Sequence, residues 1–149
     1  MIDAKTAPYA ALLLRLALGV MFLVHSLYLK LVVFTLPGTV KFFESLGLPA
    51  ASAYLTIAVE VVGGILLIVG FRTRYAAIAL LPVLLGASWV HWKNGWLFTN
   101  AGGGWEYPVF LAVATVAQAL IGDGAFALSG TSTAVASRGP NLKAGPHAA

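Results

Sequence analysis

Cysteine is absent from the 149-residue sequence. Its absence excludes disulfides, thiolate metal sites and cysteine nucleophiles from the chemistry of this chain. It does not indicate whether the surrounding compartment is oxidising or reducing. Redox chemistry by this chain would therefore need a bound cofactor or a partner.

Charged residues are scarce: they make up 9% of the sequence, against 60% for hydrophobic residues, and the mean hydropathy is +0.90. These values lie outside the range of soluble globular domains. The nine Lys and Arg residues, which give a formal net charge of +4, are dispersed and form no basic stripe or nucleic-acid reader motif. We therefore expect contact with the lipid bilayer and none with nucleic acid.

Four apolar segments are candidates for membrane spans, at about 10–33, 51–71, 75–92 and 108–128. The tight connection Arg72-Thr73-Arg74 makes the second and third spans antiparallel neighbours. The sequence predicts an all-α fold, an integral membrane antiparallel four-helix bundle, in one domain over residues 1–128. Residues 39–47 suit a short interfacial helix, and residues 129–149, rich in Ser, Ala and Gly, suit a disordered tail.

With four spans, both termini lie on one side of the membrane. Five basic residues fall on that side and three on the other: Lys5, Arg72, Arg74, Arg138 and Lys143 against Lys30, Lys41 and Lys93. The positive-inside rule then predicts cytoplasmic termini. Lys30, Lys41 and Lys93 are interpreted as solvated loop charges.

Five ionisable residues occur at or near membrane depth: Arg15, His25, Glu60, His91 and Glu106. Each charge at such depth costs at least about 2.5 kcal/mol, so these groups normally face one another or a wet cavity. Helical spacing predicts an outer cluster of His25, His91 and Glu106 above a layer of Glu60 and Arg15.

Four of these five groups also have a simpler interpretation. Arg15 would snorkel to the headgroups, His91 and Glu106 would be interfacial, and His25 would be a neutral histidine bonded to a backbone carbonyl. Glu60 is the hardest to explain structurally, because a mid-span carboxylate with no role would be replaced by an apolar residue.

Several short motifs resemble the DoxX family of small bacterial membrane proteins. They are Arg15-Leu-Ala-Leu-Gly19 with His25 and Lys30, Glu60-Val-Val-Gly63-Gly64, Gly70-Phe-Arg-Thr-Arg74, and Gly103-Gly-Trp-Glu106-Tyr-Pro108. The resemblance covers residues 12–128, with Ser26 at a position where the family commonly has glycine. It implies a four-helix protein of the bacterial inner membrane, related to subunits of thiosulfate:quinone oxidoreductase and to membrane partners of oxidative-stress enzymes.

The leading functional hypothesis is a quinone-binding membrane redox component that receives electrons from a partner subunit or a small donor. Its candidate catalytic residues are His25, Glu60, His91 and Glu106, and its candidate cofactor-binding residues are Arg15, His25, Trp92 and Trp105. Reduction of a quinone consumes two protons, which His and Glu can relay.

Three alternatives remain open. The first is a noncatalytic membrane anchor or assembly partner of a redox enzyme, with buried charges that fix helix register. The second is a metal site of imidazoles and carboxylates. The third is a transporter, which would need a homo-oligomer to enclose a path.

Overall fold

The computed structural model describes residues 3–129, and all regular secondary structure within this range is helical. The elements in chain order are α1 (Ala7–Leu23), a π-helix that continues it without a break (Val24–Val33), α2 (Leu36–Ser45), α3 (Ala50–Val69), α4 (Thr73–His91) with a short 3₁₀ turn (Trp92–Asn94), and α5 (Glu106–Ile121). The predicted tail lies, apart from Ser129, outside the described residues.

The lengths and compositions of the helices confirm the predicted all-α membrane bundle. Three helical stretches are long and apolar enough to cross a membrane: Ala7–Val33, Ala50–Val69 and Thr73–Asn94. The helix of the fourth predicted span is α5. It has 16 residues and a length of about 24 Å at 1.5 Å per residue. It is the shortest of the four helices at the predicted membrane spans.

The helices pack in the cyclic order α1, α3, α4, α5. Gly70 ends α3 with a left-handed φ of +70°, which lets the chain reverse directly into α4. Gly19 and Gly64 bring α1 and α3 together, since a Cβ on Gly19 would lie 2.8 Å from the Gly64 carbonyl oxygen. The core residues are Leu18, Phe22, Leu67, Ala76, Ala77, Leu80, Leu84 and Ala119.

The bundle has two different ends. The terminus end carries the start of α1, the α3–α4 turn and residues 122–129, while the tryptophan end carries α2 and the α4–α5 connection. At the terminus end the last span differs from its predicted extent. α5 stops at Ile121 because Gly122 takes a φ of +88°, and residues 122–129, called the terminus latch below, fold back across the other helices.

The interfacial helix predicted over residues 39–47 is present as α2, and it starts three residues earlier. Pro37 occupies the first turn, where a missing N–H costs nothing. The Thr35 hydroxyl accepts a hydrogen bond from the Gly38 N–H at 3.3 Å. α2 packs against both the π-helix and α3.

Candidate functional site

A buried ion pair joins the π-helix to α3 near the tryptophan end. Lys30 Nζ donates to Glu60 Oε1 at 2.8 Å and to Oε2 at 2.7 Å. The side chain of Glu60 is 5% exposed and that of Lys30 is 18% exposed. The interpretation of Lys30 as a solvated loop charge is therefore wrong: it is the counterion of Glu60.

The π-helix accounts for this pairing. Its backbone bonds join residues five apart, as in the 2.8 Å bond from the Phe34 N–H to the Leu29 carbonyl, so each residue advances less around the axis than in an α-helix. Ser26 lies on the same side as Lys30 and donates to the Ile57 carbonyl of α3 at 3.1 Å. The segment thus directs both polar side chains at α3.

Arg15 is 1% exposed and lies at the opposite end of the bundle from this pair. Its terminal nitrogens donate to the carbonyls of Leu67 at 3.0 Å, Ile68 at 2.6 Å and Ala125 at 2.8 Å. The predicted layer of Glu60 and Arg15 is therefore wrong, and Arg15 does not snorkel to solvent. The last carbonyls of α3 lack the full set of helical donors, with Leu67 accepting a 3.2 Å bond from the Gly70 N–H, and they form the negative end of the helix dipole, so they attract the guanidinium.

The terminus latch continues this polar contact across the end of the bundle. Asp123 accepts hydrogen bonds from the Thr73 N–H at 2.9 Å and from the Thr73 and Ser129 hydroxyls. Gln118, which is fully buried, donates to the Gly122 carbonyl at 2.7 Å. Hydrogen bonds thus join the latch to α1, α3 and α4 and close this end.

At the tryptophan end, two histidines share one tautomer. His25 Nδ1 lies 2.9 Å from the Met21 carbonyl oxygen, and His91 Nδ1 lies 3.0 Å from that of Gly102 and 3.2 Å from that of Gly103. A carbonyl oxygen can only accept, so Nδ1 carries the hydrogen in both rings. Nε2 is then the proton-accepting nitrogen of each neutral imidazole.

The predicted cluster of His25, His91 and Glu106 does not form. His25 stacks on Tyr107 with ring centroids 6.1 Å apart, whereas Glu106 Oε1 accepts from the Phe98 N–H at 3.1 Å. Within residues 3–129, no three His, Asp or Glu side chains come together in a way that could hold a metal ion. Each of the three side chains instead bonds to a backbone group: His25 to that of Met21 in α1, His91 to those of Gly102 and Gly103, and Glu106 to that of Phe98.

Two of the predicted cofactor-binding residues do come together. Trp92 and Trp105 stack with centroids 4.7 Å apart and planes 23° apart, and Trp96 meets Trp105 edge-on at 4.5 Å. The sequence assigned these tryptophans to one interface but contained no signal for their stacking.

An apolar groove of about 410 Å³ runs between α4 and α5. Its lining residues are Leu81, Leu85, Ser88, Val109, Ala112, Val113 and Val116. Trp92 lies one helical turn beyond Ser88, and Trp105 one turn before Val109. The groove therefore leads toward the stacked indoles, with His91 beside Trp92 in the chain.

Comparison with known proteins identifies the family. The family model described as DoxX matches residues 10–92. The chain belongs to the DoxX family. The matched residues include Arg15, His25, Lys30, Glu60 and His91. The match ends at residue 92, before α5 of this chain begins.

A curated protein of Bacillus subtilis (strain 168), named "Putative oxidoreductase CatD", is 37% identical to this chain over 83 residues. The aligned region is 56% of this chain and 60% of the relative. The chain therefore matches less than two thirds of the length of that relative. No solved structure matches the chain.

Proposed function

We propose that this DoxX-family chain is an integral membrane redox component that binds a quinone at the tryptophan end of the α4–α5 groove. The observation that carries the proposal is the stacked pair Trp92–Trp105, which helical spacing places one turn beyond the Ser88 and Val109 end of the apolar groove. The name of the Bacillus subtilis relative, which describes an oxidoreductase, agrees with the class of reaction.

The groove and the indoles fit the two parts of a lipid-soluble quinone. An isoprenoid tail is apolar and suits a groove lined by Leu, Val and Ala, whose volume lies within the 300–1,000 Å³ usual for small-molecule sites. The quinone ring is planar and suits the exposed face of an indole, since aromatic rings prefer offset-stacked contacts. The site therefore selects a planar head with an apolar tail.

His91 would supply the proton chemistry. Conversion of a quinone to a quinol takes up two electrons and two protons. Because Nδ1 of His91 is bonded to backbone carbonyls, Nε2 is the atom that binds a proton from solution and passes it on. The electrons come from a separate redox partner protein or a small reductant, since the chain has no cysteine to carry them.

The site is smaller than the sequence predicts. Arg15 lies at the terminus end, and Glu60 is neutralised by Lys30. We assign the proposed quinone contacts to Trp92, Trp105 and His91. We also propose that the membrane is the bacterial cytoplasmic membrane and that the tryptophan end faces outward.

Intrinsic fluorescence tests the binding. All four tryptophans lie between residues 89 and 105, so quenching of their emission reports on this end of the bundle. We expect a ubiquinone or menaquinone analogue to quench the purified protein in detergent. Val113→Phe, which fills the α4–α5 groove, should weaken binding about tenfold or more, because bulk replaces the tail contacts.

The matched control is Val62→Phe in the smaller groove between α3 and α4, whose volume is about 270 Å³. Val62 and Val113 are 56% and 64% exposed, so the two substitutions disturb similar surfaces. Equal loss of binding in both variants would contradict the proposed location. Absence of quenching, together with absence of quinone from lipid extracts of the purified protein, would overturn the function and favour the anchor alternative.

A further inference from the structure

We propose that α2 is a lid over the Lys30–Glu60 ion pair, and that the pair keeps the lid closed. The inference is independent of quinone binding. It rests on three neighbouring features. The first is the Lys30–Glu60 charge pair at membrane depth, and the second is the π-helix that carries Lys30. The third is α2, which is flanked by residues with a left-handed φ and packs on the π-helix and on α3.

The contacts of α2 place it against the two elements that carry the pair. α2 packs on the π-helix, which carries Lys30, and on α3, which carries Glu60. Thr39 of α2 is 4% exposed, and its hydroxyl donates to the Lys30 carbonyl at 2.8 Å. The residue that supplies the ammonium is thus bonded through its backbone to the covering helix.

Both ends of α2 have backbone conformations suited to a hinge. Thr35, just before the helix, has a φ of +61° and a ψ of 156°, a region that β-branched residues rarely adopt and that costs free energy. Gly47, just after it, has a φ of +78°, and a Cβ there would meet nothing within 4 Å. The closed position of α2 therefore holds strain at one hinge and has free space at the other.

The ion pair supplies the force that offsets this strain. While Lys30 and Glu60 are paired, each neutralises the other, and α2 can pack beside them with the Lys30 side chain only 18% exposed. If either charge is lost, the other stays unpaired at membrane depth, which is strongly unfavourable. Movement of α2 away from the π-helix would then hydrate the remaining charge and relieve Thr35.

Single-cysteine labelling tests the lid, because the natural chain contains no cysteine. The reporter is Thr39→Cys, the buried position of α2 itself, and its reaction rate with a water-soluble maleimide is measured in detergent. We expect Lys30→Met or Glu60→Gln to raise that rate at least tenfold. The swapped pair Lys30→Glu with Glu60→Lys should restore the slow rate.

A matched reporter separates lid opening from general loosening. Ala77→Cys lies in the α4 core at 0% exposure, away from α2, and its rate should not change. An unchanged rate at position 39, or equal increases at positions 39 and 77, would overturn the proposal.

A second pair of variants keeps the ion pair intact and alters the hinge; both variants lose the Thr35 hydroxyl that accepts from the Gly38 N–H, so they differ only in backbone conformation. Thr35→Gly removes the strain of the left-handed backbone, so it should stabilise the closed lid and slow labelling at position 39 about fivefold. Thr35→Pro cannot adopt a positive φ and should speed labelling. Opposite signs for these two variants are required; a common direction would contradict a hinge at Thr35.

Discussion

Single charged residues at membrane depth are satisfied here in two different ways. Arg15 gives its hydrogen bonds to backbone carbonyls of α3 and the terminus latch, whereas Glu60 receives both bonds of an ammonium. The first arrangement joins segments far apart in the chain. The second neutralises a charge inside the helix bundle. Substitutions at the two sites should therefore fail for different reasons.

Removal of one partner of the Lys30–Glu60 pair should cost more stability than removal of both. Lys30→Met leaves an unpaired buried carboxylate, and we expect it to lower the free energy of unfolding in detergent by about 3 kcal/mol. Combining Lys30→Met with Glu60→Met leaves no charge and should recover most of that loss. Thermal unfolding followed by circular dichroism measures both; a double variant less stable than either single one would refute the argument.

Arg15→Lys should destabilise the protein although it conserves charge. A lysine has one nitrogen, whereas the planar guanidinium reaches three carbonyls from two segments. We expect a loss of about 1–3 kcal/mol, the usual cost of buried acceptors left without donors.

Arg72→Lys is the control for Arg15→Lys. Arg72 is exposed on the α3–α4 turn, with its guanidinium 5.7 Å from the centroid of the Phe71 ring. The unfolding temperature should hardly move in this variant. Equal shifts in the Arg15 and Arg72 variants would show that the carbonyl contacts of Arg15 add nothing.

The contacts of these residues show what the sequence could and could not predict about the site. That Glu60 faces inward followed from its stripe of small residues, and the structure agrees, since Glu60 is 4% exposed. Its partner did not follow, because helical spacing assumes 100° per residue and the π-helix breaks that assumption. The sequence did contain one indication that Lys30 needs a partner: it lies inside the predicted span 10–33. The acceptors of Arg15 are backbone carbonyls, which no residue type marks.

At the scale of elements, the long helices were predictable and the end of the last one was not. α3 and α4 begin and end within two residues of their predicted limits, because Pro49 and the Gly70-Phe-Arg turn interrupt the apolar pattern. The predicted fourth span runs to residue 128 because a helix that stopped before Gly122 would be short for a membrane span. The glycines at 122 and 124, both with a left-handed φ, turn those residues into the latch instead.

Two glycines of the terminus latch allow its packing to be tested apart from its backbone conformation. Gly124→Ala would place a Cβ 2.6 Å from that of Ala11 and 2.8 Å from the Pro8 carbonyl oxygen. Gly122→Ala has a similar positive φ but meets nothing within 4 Å. We expect Gly122→Ala, whose φ of 88° and ψ of −152° are essentially restricted to glycine, to cost about 1–3 kcal/mol from backbone conformation alone, and Gly124→Ala to cost clearly more.

The measurement is the unfolding temperature of the two glycine variants side by side. Hydrogen exchange of the Ala125 amide, which donates to the Pro8 carbonyl at 2.9 Å, would show whether the latch has left α1. A Gly124 variant as stable as the Gly122 variant would mean that the latch does not pack on α1 as described.

For the whole molecule, the two ends of the bundle differ in structure. The terminus end is closed by hydrogen bonds from the latch to α1, α3 and α4. The tryptophan end carries the four tryptophans, His25, His91 and the mobile element that we propose in α2. Exchange of ligands and protons is therefore expected at the tryptophan end.

The closed terminus end requires α5 to cross the membrane, although α5 is short. At about 24 Å it is shorter than the roughly 30 Å hydrocarbon layer, a difference that a local thinning of the bilayer absorbs at modest cost. The hydrogen bond from Ala125 to Pro8 places the end of α5 beside the start of α1. Lys5 and Leu128 should consequently face the same side of the membrane, and Phe98 the other.

Single cysteines at these three positions decide the topology. All three residues are exposed, and the chain has no natural cysteine. In intact bacterial cells, an impermeant maleimide should label Phe98→Cys, whereas Lys5→Cys and Leu128→Cys should react only after the membrane is opened, because basic residues favour a cytoplasmic terminus end. Labelling of Leu128→Cys together with Phe98→Cys would mean that α5 does not cross, and the closed terminus end would then be wrong.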